Sequence, residues 1–66
     1  MKIRAFMERE NKERVVKVNG NAGDLLRKLG INPESVIIAR GRDLLTENSP
    51  LKPGEKLRII HIKASD

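Results

Sequence analysis

The sequence predicts an α+β fold: a mixed sheet of four to five strands with one helix packed on one of its faces. Three observations lead there. Segments near both ends of the chain alternate in polarity with the period of two that marks a strand with two unlike faces. One segment between them carries an apolar stripe at helical spacing. No segment after Gly30 supplies a second helix of comparable length, which leaves one helix to cover the sheet.

The elements follow in order. From Lys2 to Met7, Ile3, Ala5 and Met7 fall on one face and Lys2, Arg4 and Phe6 on the other, which predicts a strand. Glu8 to Glu13 is wholly polar and reads as a hairpin loop. Arg14 to Val18 alternates again, with Val16 and Val18 against Val15 and Lys17, so the two strands are expected to pair antiparallel. Asn19-Gly20-Asn21 breaks the strand. Asn21 suits the N-cap of a helix, and Asp24 puts a carboxylate at the positive end of its dipole. Ala22, Leu25, Leu26 and Leu29 form the apolar stripe, and Arg27 and Lys28 face outward. Gly30 is placed to end the helix in the left-handed conformation, and Ile31 to pack back on it. Asn32-Pro33-Glu34 is a turn. Val36-Ile37-Ile38-Ala39 is an apolar, largely β-branched strand. Arg40-Gly41-Arg42-Asp43 turns the chain into a short strand or edge segment, Leu44-Leu45-Thr46. Glu47 to Lys52 is loop or one helical turn. Pro53-Gly54-Glu55-Lys56 turns again, and Leu57 to Ile62 is the last strand.

Composition bounds what such a fold can do. Sixty-six residues make a single domain, 1–66. A chain of this size buries only about 60% of its unfolded surface, room for one small core. There is no Cys, hence no disulfide, no thiol nucleophile and no Cys-based metal site. No apolar run approaches the roughly 18 residues of a membrane span. Met1-Lys2-Ile3-Arg4 lacks the apolar stretch of a signal peptide, so a cytoplasmic protein is expected. Many Lys, Arg and Glu residues with no Cys also fit a heat-adapted source. The formal net charge is +5 and the pI about 10.1. That balance raises nucleic acid as a partner, although much of the charge is mixed in sign, as in Glu8-Arg9-Glu10-Asn11-Lys12-Glu13-Arg14.

Two hairpin strands, a helix that carries the chain across, a third strand, and a last strand that fills the gap parallel to the first make up the β-grasp, or ubiquitin-like, arrangement. Here the residues match a family. The chain resembles the ThiS/MoaD group of ubiquitin-like sulfur carriers, and the related small archaeal modifier proteins, over nearly its full length. The segments that carry the resemblance are Asn21 to Gly30, Val36 to Gly41 and Leu51 to Leu57. The last of these usually reads Leu-x-Asp-Gly-Asp in the family, so Pro53 and Glu55 are departures.

The resemblance implies a chemistry located at the chain end. Family members finish in Gly-Gly, whose terminal carboxylate an activating enzyme adenylates. Sulfur transfer then gives a thiocarboxylate, or the carboxylate is joined to a lysine. Glycines suit a tail that threads a narrow channel and leaves its carbonyl open to attack. The tail here has the family's length, but Ser65-Asp66 stands at the carrier position. Asp66 adds bulk and a second negative charge beside the α-carboxylate, and both oppose adenylation. No residue of this sequence therefore takes over the family's terminal role.

The sheet face away from the helix is the candidate partner surface. Ile3, Ala5, Val16, Val18, Leu57 and Ile59 are expected under the helix. Phe6, Ile60 and Ile62, with Ile37 beside them, are expected on the open face, rimmed by Arg4, Arg58 and Lys63. An apolar cluster ringed by polar residues is an interface signal, weighed against the apolar exposure of any small domain. The expected partner is an activating enzyme of the ubiquitin-like type, or another protein docking there, and the protein itself is expected to be a monomer. His61, the only histidine, has no nucleophile or orienting partner in view, so catalysis by it is not expected. Neither a metal nor a cofactor is expected, and the glycines are read as turn residues rather than a phosphate loop. The alternative is a small basic adaptor that binds RNA or an acidic protein through the sheet face. Arg40, Arg42 and Lys52 offer a further basic patch, but Phe6 is the one aromatic available for base stacking.

Overall fold

The computed structural model describes residues 1–62. Five strands form one sheet in the order β2-β1-β5-β3-β4, from β1 (Lys2–Met7), β2 (Lys12–Lys17), β3 (Val36–Arg40), β4 (Asp43–Leu45) and β5 (Lys56–His61). β1 pairs antiparallel with β2 and parallel with β5. β3 pairs antiparallel with both β5 and β4. One helix, α1 (Ala22–Leu29), lies on one face. This is the expected β-grasp arrangement, with five strands.

Helix α1 starts and stops where its sequence dictates. The Asn21 side chain accepts from the Asp24 N–H at 3.0 Å, and the Asp24 carboxylate accepts from the Asn21 N–H at 3.0 Å. The two make a reciprocal capping box. Loop carbonyls satisfy the remaining free N–H groups: Ala22 donates to Ser49 (2.9 Å) and Gly23 to Glu47 (2.7 Å). That approach needs a glycine, because a Cβ on residue 23 would meet the Glu47 carbonyl oxygen at 3.0 Å. At the other end Gly30 takes the left-handed conformation (φ 74°), and the Ile31 N–H closes back on the Leu26 carbonyl at 2.9 Å. Ile31 packs against the core, as its position after the helix predicts.

The core lies between α1 and the alternate residues of the sheet. Ile3, Leu25, Leu26, Leu57 and Ile59 are its largest fully buried side chains. Each contributes about 1.5–3 kcal/mol of apolar transfer. Val16 is only partly buried, because β2 is an edge strand over which the helix reaches incompletely. Strand β2 begins at Lys12, earlier than the sequence pattern suggests. A four-residue turn, Glu8 to Asn11, closes the hairpin with Asn11 at φ 54°. Lys12 and Glu13 then pair with Met7 and Phe6 without burying anything, so they leave no apolar signal. The Asn32-Pro33-Glu34 turn is one 3₁₀ turn, Pro33–Ser35, capped by the Asn32 side chain.

The turn into β5 is held from three sides. Gly54 donates to the Lys2 carbonyl (2.8 Å), and Arg4 donates to the Glu55 carbonyl (2.9 Å), which sets β5 beside β1. The Glu55 carboxylate accepts from Arg40 Nε (2.6 Å), from Arg40 Nη2 (3.1 Å) and from the Lys52 N–H (2.6 Å). Arg40 also donates to the Pro50 carbonyl at 2.9 Å. The clasp ties β3 to the loop that launches the last strand. Burial pushes the Glu55 carboxyl up, but hydrogen bonds from Arg40 and the Lys52 backbone outweigh it and hold the group below its ordinary value.

Candidate functional site

The strand register sorts the open face into rows. At mid-sheet, Glu13, Phe6, Arg58, Ala39 and Leu44 lie side by side across all five strands. One row toward the end of β5, Ile60 stands opposite Ile37. One row toward its start, Val15, Arg4 and Lys56 are neighbours. The next row holds Lys2 opposite Lys17. The face is therefore apolar toward the end of β5 and basic toward its beginning.

Phe6, Ile37 and Ile60 are each half-buried, and Ala39 is buried between its cross-strand neighbours Arg58 and Leu44. Leu44 is 69% exposed and Ile62 is 56% exposed. The sheet gathers Phe6, Ile37 and Ile60 on the face expected of them, and Ile62 follows at the end of β5. It adds three residues that sequence reasoning missed. Ala39 and Leu44 reach the face only through the β3–β4 register, which no local pattern encodes. Val15 was legible as a strand residue, and its pairing with Arg4 is what brings it to this face.

The basic rim is partly neutralised. Arg58 donates to the Glu8 carboxylate at 2.9 Å, and Lys56 lies 3.8 Å from that of Glu13. Arg4 has no ion pair among the described residues. The other basic patch read from the sequence loses its centre, since Arg40 is committed to Glu55 and Pro50 while Arg42 and Lys52 stay exposed. Such pairing suits a surface that meets a protein. A nucleic-acid groove keeps its cations for phosphates.

The tail leaves from the apolar end of this face. The Ile62 N–H donates to the Ser35 carbonyl at 2.9 Å and fixes the root of the tail to the 3₁₀ turn. His61, one residue earlier, lies opposite Val36 on the helix side, with its Nδ1 buried and without a hydrogen-bond partner. Lys63, Ser65 and Asp66 lie outside the described residues. Among the described residues no three His, Cys, Asp or Glu side chains converge as a metal site would require. No described helix is long and apolar enough to cross a membrane.

Comparison with known proteins follows the same direction. No family model matches the sequence. The chain is similar to a protein described as sulfur carrier protein TtuB, from Thermus thermophilus. The two are 37% identical over 51 residues, which span 77% of this chain and 78% of that protein.

Proposed function

This chain belongs to the ThiS/MoaD-type family of ubiquitin-like sulfur carriers, and on that premise we propose that it docks on an activating enzyme through its open sheet face. Proteins of this family are carriers, so the chain is not an enzyme. The observation that carries the docking reading is positional. Ile37 and Ile60 lie toward the end of β5, with Phe6 in the adjacent mid-sheet row, near the point where the chain leaves the sheet at Ile62. A protein seated on that patch holds the root of the tail at a fixed distance from its own active centre, which supplies the positioning that acyl activation needs. The complex forms with a monomer, in the cytoplasm.

The chemistry itself belongs to the partner. Adenylation joins the carboxylate to the α-phosphorus of ATP and expels pyrophosphate. Hydrosulfide then attacks the acyl carbonyl and gives up its proton, AMP leaves, and a thiocarboxylate remains. A polypeptide ending in Ser65-Asp66 resists the first step, because the Asp66 side chain crowds the carbonyl and sets a second negative charge near the triphosphate.

The experiment is an intact-mass measurement after incubation with the cognate activating enzyme, ATP and a sulfur donor. A polypeptide ending at Asp66 should be unchanged. The Ser65→Gly, Asp66→Gly form should gain an adenylate or exchange oxygen for sulfur. Modification of the unaltered form would overturn the reading of the terminus, and no modification of either would overturn the carrier reading. Phe6→Ser and Ile60→Ser should each weaken capture by the activating enzyme about tenfold, as for an anchor worth about 1.4 kcal/mol. The fold should be kept in both.

A further inference from the structure

The open face carries a second pattern beside its apolar patch. Where β1 and β2 meet at the chain start, Met1 and Val18 exchange both backbone bonds. The Val18 N–H donates to the Met1 carbonyl at 2.9 Å, and the Met1 ammonium donates to the Val18 carbonyl at 3.3 Å. The next pair in an antiparallel ladder is then a non-hydrogen-bonded one, where side chains lie closest. That pair is Lys2 and Lys17. Both are exposed, and neither has an ion pair among the described residues. Like charges directly opposite each other destabilise a sheet.

Alternation puts Lys2, Arg4 and Lys17 on the same face as Phe6, with Lys56 beside Arg4 and Arg58 beside Phe6. Two carboxylates answer these cations. Glu8 holds Arg58 at 2.9 Å, and Glu13 lies 3.8 Å from Lys56. Lys2, Arg4 and Lys17 are left over, together at one end of the face. Ile60 stands four residues after Lys56 on β5, about 13 Å further along at the rise of a strand, toward the tail root. Charge and apolar surface are thus segregated along the strands.

We propose that Lys2, Arg4 and Lys17 dock on an acidic surface of the activating enzyme and set the direction in which the chain lies there. The inference rests on the docking reading above and names the chemistry of the surface that receives it. An apolar patch alone accepts more than one orientation. Cations displaced to one side of it favour a single one, since charge complementarity fixes register and penalises the reverse placement. In that orientation the tail root points away from the acidic contact. Val15, 61% exposed, stands beside Arg4 among these cations. A protein surface can match an apolar side chain there, whereas a phosphate backbone offers it nothing. The strain between Lys2 and Lys17 is a local cost of the kind found where a surface serves a partner.

Stopped-flow binding of the full chain to its activating enzyme, across a range of salt, tests the proposal. A unit charge about 10 Å from its counter-charge in water changes the encounter about twofold. The triple variant Lys2→Gln, Arg4→Gln, Lys17→Gln should therefore associate about eightfold more slowly at low salt, with little change in dissociation. The difference should vanish near 1 M salt, where screening acts within about 3 Å. Ile60→Ser should do the reverse, speeding dissociation about tenfold at an unchanged association rate. Lys17→Gln should melt no lower than the parent, since it relieves the like-charge contact; a lower melting point would give the pair to the fold and overturn the proposal. A triple variant that associates like the parent, while Ile60→Ser still weakens binding, would refute this inference alone. An intact charge effect with no effect of Ile60→Ser would refute the apolar patch and leave the acidic contact standing. Amide NMR with two short probes needs no enzyme. An oligoglutamate should shift Lys2, Arg4 and Lys17, and tighter binding of an oligouridylate at those residues would give the surface to phosphates and overturn the proposal.

Discussion

Two neighbouring isoleucines on β5 test the assignment of faces. Ile59 is fully buried under α1, and Ile60 is half-buried on the open side. Ile59→Ala removes a side chain that no solvent reaches, so the lost transfer energy and the residual cavity both count, about 3–4 kcal/mol together. Ile60→Ala leaves no enclosed cavity and forfeits only part of the transfer term, about 1 kcal/mol. At 0.05–0.15 kcal/mol per residue, a domain of this length is stable by about 3–10 kcal/mol. The first change therefore removes a third or more of the stability, while the second removes about a third at most. Urea unfolding reads the difference. With a slope near 1 kcal/mol per molar for so small a protein, the midpoints should drop by about 3 M and about 1 M respectively, with the slope unchanged. Equal drops, or a larger one for Ile60→Ala, would show that both faces are buried, and the docking reading would lose its surface.

Further expectations concern the helix start and the turn before β5. Gly20 sits at φ 112°, and a Cβ there would strike the Asp24 carboxylate oxygen that accepts from Asn21. Gly20→Ala should cost about 1–3 kcal/mol in backbone strain and lost capping, seen as a melting point lower by at least about 4 °C. An unchanged melting point would disprove the capping geometry. Glu55, held below its ordinary value near 4.5, contributes stability that is fully present above that value and lost as the pH falls below it through the folded one. Stability measured against pH should therefore fall less steeply below about pH 4.5 in Glu55→Gln than in the parent, and parallel curves would refute the clasp. Glu8→Gln removes a pair whose side chains are 49% and 37% exposed. It should shift stability by less than about 1 kcal/mol, and a larger loss in urea would mean that the pair orders the hairpin.

How much of this was legible depends on whether the signal is local. Helix α1 was readable to the residue, because Asn21, the Ala22-Leu25-Leu26-Leu29 stripe and Gly30 are all local instructions. The sequence also ranked the two faces of β1 and β5, since alternation is local as well. The start of β2 was not readable, because Lys12 and Glu13 lie on an edge strand and bury nothing. The Arg40–Glu55 clasp joins residues fifteen apart through a turn whose shape no spacing rule specifies. Asp24 was read as a dipole partner, yet it serves as half of a capping box and also as the anchor of Arg27. On the candidate face Phe6 and Ile60 followed from alternation, whereas Ile37 stands in a uniformly apolar strand whose faces no alternation ranks. Leu44 and Ala39 depend on cross-strand register, a tertiary fact that a single strand's pattern does not hold.

The most direct test of the account is the mass of the chain after incubation with its activating enzyme, ATP and a sulfur donor, with Ser65 and Asp66 both replaced by Gly. The account predicts a sulfur-for-oxygen exchange in this form, and an exchange about tenfold less efficient at limiting activating enzyme when Ile60→Ser is added. A chain that stays unmodified with the glycine tail, or one modified equally well with Ile60→Ser, would contradict it.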